Sequence, residues 1–117
     1  MTISDPVRVV NTVTTQRVAI SAATSGTHTI VAAAAGKRTK VLGVLLMGGG
    51  AVNVKFTNGA GGADLTGSMP LATEGNGLVM PVTPPGLHWL ETSVNTALVL
   101  YLSGTVQVSG VLVYYQE

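Results

Sequence analysis

The chain has 117 residues, with six Lys or Arg against five Asp or Glu, two His, no Cys and a formal charge of +1. This length suits one domain burying roughly 65% of its unfolded surface, and the lack of Cys excludes disulfides and thiolate metal sites. Near-neutrality argues against a nucleic-acid partner, and the longest apolar runs, 30–35 and 41–47, fall short of the ~20 residues of a membrane helix, so no membrane partner is expected.

Residues 1–26 are rich in Thr, Ser and Val, with loose alternation at Val7, Val9, Val13, Val18 and Ile20. They carry no helical stripe and read as an extended arm, or alternatively as a first sandwich strand. No basic start followed by an apolar region occurs, so a cytosolically made, unprocessed chain is expected.

From residue 27 the chain reads as a β-sandwich domain, 27–117. Residues 27–34 (THTIVAAA) and 39–47 (TKVLGVLLM) read as strands joined by the turn AAGKR, where Gly36 supplies backbone freedom and Lys37 and Arg38 keep the tip wet. The four alanines of 32–35 are too few for a stable helix. Residues 51–57 (AVNVKFT) alternate, with Val52, Val54 and Phe56 on one face and Asn53, Lys55 and Thr57 on the other.

Five further runs follow: DLTGSMPL, GLVMPV, LHWLET, TALVLYLS and VQVSGVLVYYQE. The linkers ATEGN, TPPG, SVN and GT supply turn residues. The last two runs read as strands 97–102 and 106–115 joined by a short hairpin connection around Gly104. In the last strand Val111, Val113 and Tyr115 share a face that becomes apolar toward its end, as a strand buried on both sides, or one facing a partner subunit, should. The fold expected is all-β: a single-domain antiparallel β-sandwich of about eight strands.

Catalytic and metal chemistry find little support. His28 and His88 lie sixty residues apart, and the carboxylates nearest them in the second half, Asp64, Glu74 and Glu91, show no metal-ligand spacing. The glycine clusters at 48–50, 59–62 and 75–77 lack a Walker ending and open no helix, so they read as turns. No Gly-x-Ser-x-Gly elbow occurs. The chain reads as non-enzymatic, without cofactor or metal. Trp89, beside His88 and Glu91, offers either a glycan or partner platform, with Glu91 as its polar companion, or a core or rim filler. Six cations and five acids are few for an estimated monomer surface of about 6,000 Å², which points to coverage by other subunits.

Three segments taken in order, GKRTKVLGVLLMGGGAVNVKFTNG, ADLTGSMPLATEGNGLVMPVTPPGLHWLET and TALVLYLSGTVQVSGVLVYYQE, resemble a group of small tailed-phage structural proteins. The resemblance covers about two thirds of the chain, and His88 and the longer 59–63 insertion depart from it. It implies a jelly-roll-like sandwich and a capsid decoration (cement) protein on the virion surface, a homotrimer whose partner is the major capsid protein. The alternative is a tail- or fibre-associated receptor or glycan module, since relatives of this general type also belong to tails or fibres. Under the decoration reading, Arg8 and Arg17 of the arm and the basic cluster Lys37, Arg38 and Lys40 are the expected capsid contacts.

Overall fold

The computed structural model describes residues 14–117. They form nine strands: β1 (Gln16–Ala22), β2 (Gly26–Val31), β3 (Thr39–Gly48), β4 (Val52–Asn58), β5 (Met69–Leu71), β6 (Gly77–Met80), β7 (Leu90–Glu91), β8 (Leu98–Leu102) and β9 (Val108–Gln116). One sheet runs β1-β9-β3-β6, with β7 also paired to β3; the other runs β2-β8-β4-β5. Every pairing is antiparallel.

The pairings nest. β4 pairs β5, β3 pairs β6, β2 pairs β8 and β1 pairs β9, so the chain is a long antiparallel ribbon folded back on itself. Two further pairings, β3 with β9 and β4 with β8, wrap that ribbon into two stacked sheets. The result is a jelly-roll-like β-sandwich.

Period-two alternation fills its interior. Ile20, Val44, Leu46, Leu112 and Val108 from the first sheet meet Val54, Phe56, Leu98, Leu100 and Leu102 from the second, all nearly inaccessible. Each such side chain contributes about 1.5–3 kcal/mol through removal from water.

The structure corrects two local expectations. Strands 97–102 and 106–115 are not a hairpin: β8 and β9 lie in different sheets, and β9 begins at Val108 rather than Val106. Their connector bonds elsewhere, with Ser103 N donating to Asn53 O and Gly49 N donating to Gln107 O. Likewise AAGKR crosses between sheets from β2 to β3, so the basic residues do not sit on a hairpin tip. In a sandwich, neighbours in sequence can meet through their buried faces while their hydrogen bonds go to distant strands.

Within 1–26, Gln16–Ala22 is the edge strand β1, with Ile20 and Ala22 in the core. That segment therefore takes the place of a first sandwich strand. Residues 1–13, with Arg8, lie outside the described residues.

Candidate functional site

Three surfaces carry the side chains that composition and spacing single out. The first is the outer face of the β1-β9-β3-β6 sheet. Ala19, Val111, Leu45 and Val79 stand in register across all four strands. Their chain neighbours Ile20, Leu112 and Leu46 are buried in the core and Leu78 packs against it, so this row points away from the core. Leu45 is 43% exposed and Val79 64%.

One row along, Val113 lies between Arg17 and Gly43. Gly43 permits a close approach there: a Cβ would stand 2.9 Å from Val82 Cγ2, 3.0 Å from Val82 Cα and 3.1 Å from Met80 O. Val82, itself 66% exposed, closes a shallow groove of about 190 Å³ whose walls include Leu45, Val79, Val111 and Val113. On the other side of the row lie Ser21, Ser109, Met47 and Gly77. The opposite sheet is dressed differently: Thr27, Tyr101 and Lys55 share a row. Lys55 Nζ pairs with Asp64 at 3.0 Å and sits 5.3 Å from the centre of the Tyr101 ring.

Sequence reasoning selected Val111 and Val113 but missed Leu45, Val79 and Val82, which complete the patch. The available signal was the unbroken apolar run 44–47, in which no outward position is polar. Tyr115 is a correction. It is 2% exposed, and the chain's own 81–91 segment meets it. Gly86 N donates to its hydroxyl at 3.2 Å, and the His88 ring lies edge-on at 6.5 Å between centroids. Its side chain is used inside the subunit, so it is not a surface for a second one.

The second surface is the basic cluster. Lys37 and Arg38 are exposed, but two of the three cations are paired. Arg38 lies 3.6 Å from Glu91 Oε2 and donates to Thr92 O at 3.4 Å. Lys40 Nζ pairs with Glu117 Oε1 at 3.1 Å and sits 5.7 Å from the Tyr115 ring centre. The hydrogen bond to Glu117 holds the Lys40 ammonium above its ordinary pKa, against the opposing pull of desolvation. The cluster is thus a mixed-charge network and not a free basic tip. Arg17 is exposed on β1, well apart in sequence from this network.

The third surface is the Trp89 platform. Leu90 and Glu91 pair with Val41 and Lys40 of β3, and Trp89 N donates to Val41 O at 2.8 Å. The indole is 48% exposed, with Nε1 donating to Pro81 O at 2.8 Å. Its polar edge is thereby fixed while much of the ring stays open. Glu91 is less available: Oε1 accepts from His88 Nε2 at 3.1 Å and Oε2 faces Arg38. The hydrogen bond from His88 holds the Glu91 carboxyl below its ordinary pKa; desolvation opposes this, and the charges of Lys40 and Arg38 add to it.

Among the described residues no three His, Cys, Asp or Glu side chains come together as a metal-binding group. His28 Nε2 lies 2.7 Å from the Thr24 carbonyl oxygen, a local turn contact. His88 and Glu91 are brought together, but Asp64 pairs with Lys55 on the other sheet.

No family model and no curated protein matches this chain. Solved structures do. A chain of the cyanophage Pam1 capsid asymmetric unit is similar at a TM-score of 0.46 and 18% identity, over 89% of this chain and 84% of that one. A chain of the virus-like particle of the extra small virus of the giant freshwater prawn Macrobrachium rosenbergii is similar at 0.42 and 15%, over 89% and 77%. These are likenesses of outline, and the fold assignment rests on the strand order itself.

Proposed function

We propose that the chain is a structural component of a tailed-phage virion: a decoration (cement) protein, made in the host cytoplasm, that sits as a trimer on the outer surface of the assembled head. The observation that carries this reading is the aliphatic outer face of the β1-β9-β3-β6 sheet on a chain with only six cationic and five acidic side chains. A surface so poor in charge is suited to being covered by protein. The ordered resemblance of the segments from Lys37 onward supplies the kind of protein, and jelly rolls are a recurring capsid architecture.

A decoration protein that binds the assembled lattice and not free subunits shifts the shell toward the intact state by mass action. A trimer suits three-fold lattice points, and cyclic closure stops growth. Arg8, Arg17 and Lys37 are the proposed contacts to the major capsid protein. Arg38 and Lys40 are weaker candidates, because shell contact would have to compete with Glu91 and Glu117. The reading is tested by labelling purified virions with an antibody and viewing them by electron microscopy. Label over the head is expected; label confined to the tail, or none, overturns it.

The half-exposed Trp89 indole favours a second reading, a tail- or fibre-associated receptor or glycan-binding module, since an open aromatic face stacks on sugar rings. Under it, Trp89→Ala abolishes host adsorption while the fold persists. Unchanged adsorption removes it.

A further inference from the structure

We propose that the row Ala19, Val111, Leu45 and Val79, with Val113 and Val82 beside it, is the surface through which copies of this chain meet. The inference rests on the reading of a self-assembling virion protein only for where the copies gather; the surface itself is read from the sheet. Four registered strands present aliphatic side chains with no charge in the row, exposed Arg17 standing on the edge strand β1 at the end of the neighbouring Val113 row, and the exposure rises outward from half-buried Val111 to Leu45 at 43% and Val79 at 64%. Such a face gains nothing from a polar or charged partner surface, because it would bury that surface's groups unpaired. It gains most from a second flat aliphatic sheet at the ~10 Å spacing at which sheets stack.

Within the chain's own repertoire the match is like with like. The outer face of the other sheet carries Thr27, Tyr101 and an ion-paired Lys55, and stacking it on the aliphatic row would desolvate that pair. The occupant is therefore the same face of another copy, an isologous two-fold contact separate from the heterologous contacts that would close the proposed trimer. Seven residues each of β1, β9 and β3 at ~3.3 Å rise and ~4.8 Å strand spacing, with the four residues of β6 beside them, give roughly 400 Å² per copy and 800 Å² in total, the size of a weak, transient contact. The expected association is reversible and concentration-dependent in solution. It becomes persistent when a lattice holds the copies side by side at high effective concentration.

The test is sedimentation equilibrium of the full chain from about 1 to 100 μM, the range in which a contact this small dissociates. The wild type is expected to shift from monomer toward oligomer. Val79→Lys and Val111→Lys should move that shift at least ten-fold higher in concentration while keeping the β-type circular dichroism. Thr27→Lys, on the other sheet, should leave it in place. A wild type that stays monomeric at the top concentration overturns the proposal, as does an oligomer indifferent to Val79→Lys or equally sensitive to Thr27→Lys. Should Val111→Lys fail to fold, Val79→Lys on the short strand β6 decides alone. Co-sedimentation with purified heads separates the two readings. Head binding by a monomeric wild type sinks the surface and spares the decoration role; Val79-dependent association without head binding does the reverse.

Discussion

Thr39 and Thr92 clamp each other: Thr39 N donates to Thr92 Oγ1, and Thr92 N donates to Thr39 O, each at 2.9 Å and with both residues 1% exposed. The clamp ties the end of the irregular 81–92 segment to the first residue of β3. Thr92→Val keeps the shape and deletes the acceptor, leaving a buried amide unpaired. The expected cost is about 1–3 kcal/mol in urea unfolding, with Thr92→Ser largely spared. A valine variant as stable as the wild type would show that the clamp is not needed.

Ile20 tests whether β1 is part of the folded unit. Its side chain is 2% exposed and lies in the core, although it falls in the stretch that sequence reads first as an arm. Ile20→Ala should cost about 2–4 kcal/mol, the range for emptying a well-packed site. A loss under about 0.5 kcal/mol, the usual effect of a surface change, would return Gln16–Ala22 to the status of a detachable arm.

The His88, Glu91 and Arg38 network predicts an acid dependence. Because folding lowers the Glu91 pKa, its contribution to stability is present above the ordinary Glu value of about 4.3 and is lost as pH falls below that through the folded value. The carboxylate is 43% exposed, so solvent screening keeps the effect modest. Thermal melts from about pH 6 to pH 3 should fall less steeply for Glu91→Gln than for the wild type. Parallel slopes would mean that the pairing contributes nothing.

Trp89 is the chain's one tryptophan, and at 48% exposure it is a built-in reporter. The native protein should show red-shifted emission that iodide quenches readily. Pro81 O anchors the indole at 2.8 Å, so its anisotropy should remain that of a fixed ring. Emission blue-shifted and protected from iodide would place Trp89 in an interior.

What could be read from sequence was whatever depends on near neighbours. Val52, Val54 and Phe56 alternate with polar residues, and β4 carries them inward as that pattern dictates. The sandwich class followed from many such short runs. The pairing did not, because it depends on partners far along the chain: Ser103 N bonds Asn53, fifty residues back, rather than closing a hairpin with the next strand. The same distance hid the site. The positive charges of Arg38 and Lys40 looked free because Glu91 and Glu117, which pair with them, lie 53 and 77 positions on. Tyr115 looked outward because strand parity points it out of the core, and only the 81–91 segment, folded over it, reveals that it is covered.

The nested pairing also governs how the chain reaches this state. Its innermost pair, β4 with β5, joins Val54 to Met69, whereas the outermost brings Gln16 to Tyr114, 98 positions apart, where their side chains bond at 3.2 Å. Closing the ribbon from the inside outward divides one long loop-closure cost into small steps. A chain so dominated by distant contacts should nevertheless fold in milliseconds to seconds rather than microseconds. The β1 edge should form last and open first, and its amides should be the earliest of the strand amides to exchange with heavy water.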